Sequence, residues 1–424
     1  MMLTSIYSLI TILLDNKKGI LRNKDDEIGV FVMNFVLLSP HFPHNFAHFA
    51  PRLKEAGANT LGIADVAYEE LSETVRQGLT DYYRVDNLEE YDQVYRAVAY
   101  FASKYGKIDR IESHNEHWLA LDARLREDFN VFGYKPEDVK VVTHKSAMKQ
   151  VFRAAGLKVA QGRVFTDQAD ALALAKELHY PIIVKPDNGV GAGDTFKLND
   201  QAALQYFFEH DATSNRYIME EFIPGEMVTF DGLTNHEGEI VFYSSLTYNT
   251  AVLETVNQDE DMYFFLPREI PEDLIEMGTK IVAAFGVPER FFHFEFFRTY
   301  PDGELIPLEV NMRPPGGPTI DMFNYVNDFD IFKEYANIVT KNQFDAPIRR
   351  LYNCGYASRK YGKHTYRYTA DDVRSKAGQA LITIQHIPGI FSAILGDEGY
   401  LVRSPKLDDL FALLQVVRQR TEEE

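Results

Sequence analysis

The segment HFEFFRTYPDGELIPLEVNMRPPGG, His293 to Gly317, sets acidic side chains where they can act together. Pro301-Asp302-Gly303 lies between two runs rich in aromatic and aliphatic residues, with Gly303 placed for the left-handed position of a three-residue hairpin loop. Tyr300 then opposes Glu304, and counting outward pairs Glu295 with Glu309 and His293 with Asn311. On the other face Phe292, Phe294 and Phe296 fall opposite Met312, Val310 and Leu308. Like charges directly opposed in an antiparallel pair cost about 0.2–1 kcal/mol, so this pairing asks for a neutralising cation. Two carboxylates and a carboxamide are hard oxygen donors, which favours magnesium or manganese carrying phosphate oxygens over zinc. The alternative is a solvated hairpin in another register.

Lys185 closes the apolar strand YPIIVKP and is followed at once by DNGVGAGDT. Gly189, Gly191 and Gly193 would let backbone N–H groups approach phosphate oxygens while the lysine supplies charge; an ordinary glycine-rich hairpin is the alternative. This is not a Walker loop, because the lysine precedes the glycines and TFKLND continues as a strand. The strand YIMEEFIPG ends in Glu220 and Glu221, whose main-chain groups could read an adenine edge in an apolar slot made with Phe222 and Ile223. Solvent-facing acids on a plain strand are the bland reading of the same residues.

These residues need a scaffold, and the chain alternates accordingly. From Asn34 it reads strand (NFVLLS), loop (PHFPHN), helix (FAHFAPRLKEAG) and strand (NTLGIAD), and it keeps alternating to KIDRIES, the pattern of a parallel, Rossmann-like sheet. The first strand-to-helix turn lacks G-x-G-x-x-G, so no dinucleotide fingerprint is present. A second unit begins near Val141 with an amphipathic helix in THKSAMKQVFRAAGLKV; later come the meander MVTFDGLTNHEGEIVFYSSLTY, a helix near 271–286, the opening hairpin, and a closing helix in KLDDLFALLQVVRQR.

A chain of 424 residues exceeds one ordinary core. With 63 acidic and 44 basic residues the formal charge is −19, which disfavours nucleic acid and acidic membrane surfaces as partners. The single Cys354 excludes an internal disulfide and fits a reducing, cytoplasmic compartment. SIYSLITILL near the start has no preceding Lys or Arg and is too short to span a bilayer, so residues 1–32 read as an extension outside the fold.

Taken in order, Lys145 in HK, Lys185 before its glycine-rich loop, MEEF before PG, then HFE and LEVNMR resemble the ATP-grasp superfamily from about residue 34 to the end. The segment from Lys145 through AAGLKV is similar to D-alanine:D-alanine ligases, and Glu309, Asn311 and Arg313 match a pattern found in biotin carboxylase and carbamoyl phosphate synthetase. FHFEFF, NMRPPGG and IPGIFSAILGDEGYL most resemble carboxylate-amine ligases that include L-amino-acid ligases.

The resemblance implies an α/β and α+β protein, a Rossmann-like domain (33–140) followed by a two-lobed ATP-grasp fold: a small lobe (141–216), a large lobe (217–345) and a C-terminal segment (346–424) completing it. It implies ATP with Mg²⁺ or Mn²⁺. Lys145 and Lys185 would contact the α- and β-phosphates, and the loop from Asn188 to Gly193 would close over them. Glu220 would accept from the adenine amino group, with Glu221, Phe222 and Ile223 lining the hinge. Glu295, Glu309 and Asn311 would hold the metal, and Arg313 would steady an acyl phosphate, with pairing to Glu309 or Glu295 as its structural alternative. Gly316 and Gly317 would give the backbone access to substrate, with His41 and His293 as further substrate contacts. The family's ribose-binding acid falls where this chain has Met227, which leaves Glu226, one position early, as the candidate.

The implied reaction is amide or peptide bond formation between a small carboxylate and an amine, amino acids among them, with neither nucleic acid nor membrane as partner; a homodimer is compatible with it. The alternatives are a phosphotransferase with a stable phosphorylated product and a non-catalytic ATP-binding protein. Two further patterns point elsewhere. Ala147-Met148-Lys149 is like a biotinylation site but lies in a helix with Gln150 after it, and His41, His44 and His48 have zinc-like spacing with no acidic or Cys partner in the adjacent sequence.

Overall fold

The computed structural model describes residues 32–189, 194–248, 260–362 and 364–421. Gly191 and Gly193 of the expected phosphate loop, and the extension up to residue 31, lie outside the described residues.

Four short parallel strands open the fold: β1 (Asn34–Leu38), β2 (Asn59–Ala64), β3 (Asp81–Arg84) and β4 (Arg110–Glu112), side by side in the order β3-β2-β1-β4. NFVLL is apolar almost throughout because β1 is central and buried along its whole length. The helix expected over 46–57 begins earlier, as a 3₁₀ turn at His44–His48 after Pro43, and becomes α-helical only at Phe49–Glu55.

A second, antiparallel sheet holds β5 (Gly162–Val164), β6 (Ile182–Pro186), β7 (Phe196–Leu198) and β8 (Tyr217–Glu221) in the order β5-β8-β6-β7. The boundary read at 216/217 would cut β8 from its own sheet. Tyr217–Glu221 pairs with β5 and β6, so the strand that carries Glu220 belongs with the one that carries Lys185.

Among the described residues the remaining strands form one nine-stranded sheet: β9 (Gly225–Thr234), β10 (Ile240–Ser244), β11 (Thr247–Tyr248), β12 (Tyr263–Leu266), β13 (Phe291–Thr299), β14 (Leu305–Asn311), β15 (Asn353–Arg359), β16 (Leu381–His386) and β17 (Glu398–Ser404). A continuous apolar core joins Phe35, Leu37 and Phe49 of the first sheet's layer to Phe291, Phe323 and Tyr335. Among the described residues no helix is long and apolar enough to cross a membrane.

The β13–β14 hairpin sets Glu295 opposite Glu309 and His293 opposite Asn311. Nearer the turn the expected register is off by one: Phe296 faces Pro307 rather than Leu308. The Thr299 N–H donates to the Glu304 carbonyl at 2.9 Å, so the loop runs Tyr300–Gly303, one residue longer than the three-residue loop expected. A bulge between Glu295 and Phe296 absorbs the difference by leaving Leu308 as the extra residue. Pro307 has no N–H to give the ladder, and β14 is an edge strand where such a break is tolerated. The two one-residue shifts cancel at the acidic pair.

Candidate active site

Three lysines meet two carboxylates at the junction of the small sheet and the hairpin. The amphipathic helix Lys145–Ala154 buries Lys145, Met148, Lys149 and Phe152 on one face, an i, i+3, i+4, i+7 set. Asp187 fixes the start of this helix. Its carboxylate accepts from the Ser146 N–H and hydroxyl, both at 2.8 Å, and its carbonyl accepts from the Lys145 N–H at 2.8 Å. A backbone bridge between His144 and Asn188 continues the contact, so the chain leaving Lys185 folds over the helix that carries Lys145. The Lys145 Nζ donates to the Gly189 carbonyl at 2.9 Å and stands 3.5 Å from Glu309.

Glu220 lies between two ammonium groups, with Lys149 at 2.5 Å and Lys185 at 2.8 Å. Burial opposes its charge, yet the two lysines hold its carboxyl down at about 2. Burial also opposes the charge on Lys185, which Glu220 outweighs, raising its pKa; for Lys149 burial prevails and its pKa is lowered. Glu309 and Glu295 act on Lys185 as well, so its ammonium is shared between Glu220 and the acids of the hairpin. This differs from the part expected of Glu220. Its carboxylate is already committed to lysines, so adenine recognition would fall to main-chain groups of the hinge. There the Glu221 carboxylate accepts from the Gln161 N–H at 2.7 Å, the Phe222 ring lies 3.8 Å from the Lys197 ammonium, and Ile223 follows half-buried. Glu226, at the start of β9, lies opposite Arg298 of β13.

The acidic pair has protein cations of its own, which corrects the argument that its repulsion calls for a metal. Glu309 has Lys145 beside it, and Glu295 is 3.1 Å from the His293 Nε2. The His293 Nδ1 is 2.5 Å from Asp231, which accepts from the Thr229 hydroxyl at 2.6 Å. Burial works against an imidazolium here, but Asp231 and Glu295 outweigh it and raise the His293 pKa to about 9. Burial likewise opposes the charge of Glu295, and His293 holds its pKa below the usual value. His293 is thus a buried cation bridging two acids. Among the described residues no cluster of three His, Cys, Asp or Glu is arranged to hold a metal. Glu295, Glu309 and the buried Asn311 side chain do fit a hard divalent ion as a partial shell, completed by phosphate oxygens and water.

Arg313 pairs with neither Glu309 nor Glu295. Its Nε is 3.3 Å from the Oε2 of Glu116, and one terminal nitrogen donates to the Pro314 carbonyl at 2.9 Å. Glu116 comes from the loop after β4, is almost wholly buried, and has its pKa raised by burial against the opposing pull of Arg313. Sequence reasoning missed it. The available signal was its position in ESHNEHW, a loop at the carboxyl end of a parallel strand, where open α/β sheets bind ligands. Lys149 was also missed, although it repeats Lys145 at i+4. His41 lies in the loop after β1, half-buried, with an Nδ1 that meets no partner among the described residues, and burial lowers its pKa. Acids do approach these histidines: Asp65 acts on His41 and Asp321 on His48. Gly316 and Gly317 are exposed, the latter at φ +59°.

Residues 178–321 match the model of the ATP-grasp domain. The match covers about a third of the chain, from the helix before the Lys185 strand to the first turn of the helix after Gly317. The chain is 28% identical over 246 residues to the L-arginine-specific L-amino acid ligase of Bacillus subtilis, an overlap of 55% of this chain and 58% of that one. It is 23% identical over 199 residues to the carbamoyl phosphate synthase arginine-specific large chain of Bacillus subtilis, covering 46% of this chain and 19% of the other. The chain therefore spans less than two thirds of the length of these curated relatives. Its fold matches that of an L-amino acid ligase from Bacillus licheniformis, with a TM-score of 0.70 at 16% identity over 90% of this chain and 96% of that one. It also matches the biotin carboxylase domain of Hydrogenobacter thermophilus 2-oxoglutarate carboxylase, with a TM-score of 0.64 at 18% identity over 91% and 90%.

Proposed function

We propose that this chain is an ATP-dependent carboxylate-amine ligase that forms an amide or peptide bond through an acyl phosphate, releasing ADP and phosphate, with amino acids as the substrate class. The observation that carries this reading is the convergence of Lys145 and Lys185 with the paired Glu295 and Glu309, next to an arginine whose fork is steered by Glu116. A carboxylate resists attack because its charge repels nucleophiles and oxide leaves poorly; transfer of the γ-phosphoryl group removes both obstacles. The work left to the protein is positioning and charge neutralisation.

Lys145 and Lys185 bind the phosphates, and Glu220 keeps Lys185 extended and charged. Glu295, Glu309 and Asn311 would hold Mg²⁺ or Mn²⁺, which supplies Lewis-acid neutralisation of the phosphate oxygens when bound. Arg313 presents two-pronged N–H donors to the carboxylate as it becomes an acyl phosphate. Its Nε contact with Glu116 leaves a terminal nitrogen toward Asn311, 3.5 Å from its carbonyl oxygen.

The test is phosphate release from ATP and magnesium with paired amino acids, with mass spectrometry of the products. A new amide with free phosphate is expected. A stable phosphoester would make the chain a phosphotransferase, and ATP binding without release under any pairing would leave it a nucleotide-binding protein.

A further inference from the structure

Asp321 lies in the first turn of the helix Thr319–Asn327, four residues past Gly317. An aspartate there normally gains from the free N–H groups of the helix end. This one is largely buried, and burial pushes its pKa up to about 6. Among the described residues it makes no ion pair. The Asn45 Nδ2 donates to its Oδ2 at 3.0 Å and to the Gly317 carbonyl at 3.1 Å. The other titratable groups acting with it are His48, from the 3₁₀ turn, and Tyr325, one turn along the same helix. A desolvated carboxylate without a cation is costly, and a cationic ligand would relieve it.

The turn that Asn45 ties to this acid is open. A Cβ added at Gly316 would meet nothing within 4 Å, and one at Gly317 would meet only Leu395 methyls, at 3.4 Å and beyond. Asn45 lies in the 3₁₀ turn His44–His48 that follows β1, on the side of the parallel sheet where its strands end. It thereby ties the acid to the open turn that leads away from Arg313.

We propose that Asp321 receives the ammonium group of the amine substrate and takes its proton as the nitrogen attacks. The proposal rests on the ligase reading and specifies its second substrate: a primary amine that is protonated near neutral pH, such as the α-amino group of an amino acid. One N–H proton passes to the Asp321 carboxylate, and the freed lone pair forms the C–N bond at the acyl carbon. The C–O bond to phosphate then breaks, its electron pair leaving with phosphate, which also takes the second N–H proton. Asp321 returns its proton to water.

Hydroxylamine separates a base at Asp321 from an acid with only a structural role, because it is uncharged at neutral pH and needs no base. Each of the twenty protein amino acids is supplied as carboxylate with ATP and magnesium, and either hydroxylamine or a second amino acid as nucleophile. The native protein should give hydroxamate and amide. Asp321→Asn, shown folded by its melting curve, should keep hydroxamate formation and lose amide formation by about 10²-fold or more. Amide formation at the native rate, or equal loss of both products in a folded variant, overturns the proposal. If the native protein makes neither product, the ligase reading fails and takes the proposal with it. Asn45→Ala provides a second arm, since it keeps the carboxylate but removes a hydrogen bond that lowers its pKa. The acid limb of amide formation should then move to higher pH while hydroxamate formation stays constant; an unmoved limb counts against Asp321.

Discussion

Glu309 faces Glu295 across the hairpin and Lys145 from the side, 3.5 Å away. Replacing it with Gln removes one charge from the proposed metal shell and also the partner of a buried ammonium. Glu309→Gln is therefore expected to lower phosphate release by about 10²-fold or more at saturating magnesium, while the melting temperature of the metal-free protein stays close to native. Relief of like-charge repulsion and loss of the lysine pair work in opposite directions. A native rate would remove Glu309 from the metal site. Arg313 makes a different demand, for geometry rather than charge. Arg313→Lys keeps the charge beside Glu116 but loses the fork, so ATP binding should survive while the rate falls by about 10²-fold. Weaker nucleotide binding with an unchanged rate would move Arg313 from the reaction centre to the nucleotide. Glu309 was legible in the sequence because a hairpin states its own pairing, whereas Arg313, two residues beyond the paired strand, was singled out only by the resemblance. Glu116 was not, because its contact with Arg313 joins positions 197 residues apart in sequence, and nothing in local pattern records that. Glu220 was legible as a position but not as a partner, since only the fold shows the two lysines around it.

At the scale of the strand, β9 and β13 place Asp231 directly opposite His293. The imidazolium therefore links neighbouring strands and also holds Glu295. The His293 pKa of about 9 lies above its ordinary 6.5, so the stability it confers is fully present below pH 6.5 and is lost as pH rises through 9. The native protein should show a falling melting temperature across that window, and His293→Gln should flatten the dependence; an identical slope in both would assign it to another group. The hairpin also shows how far element-level reading reaches. Its aromatic face and acidic face follow from a two-residue period. The longer turn and the bulge at Leu308 escaped notice because turn length and bulge trade one residue for another without disturbing alternation beyond them. Pro307 was the local sign of the bulge.

At the scale of the molecule, alternation of strands and helices marked the parallel sheet, and the order of motifs marked the rest. What composition could not show is how the first sheet is fastened to the hairpin. The fastening is ionic as well as apolar: Glu112, at the end of β4, meets Arg126 at 2.9 Å and Arg290 at 3.3 Å. Arg290 in turn donates to the Met312 carbonyl at 3.0 Å, one residue before Arg313. Burial raises the cost of the Glu112 charge, but the two guanidinium groups prevail and depress its pKa to about 2. Its contribution to stability is therefore present above its ordinary value of 4.5 and is lost as pH falls through 2. Glu112→Gln would leave two buried arginines short of an anion, a loss of about 3–5 kcal/mol at neutral pH on the scale of broken buried pairs. The melting temperature should drop accordingly at pH 7, and the gap to native should close toward pH 2, where the native carboxyl is itself protonated. Since Arg290 also orients the backbone next to Arg313, the rate of phosphate release should fall in the same variant with nucleotide affinity preserved. A gap in melting temperature that is independent of pH would mean that packing, not the ion cluster, fastens the two sheets.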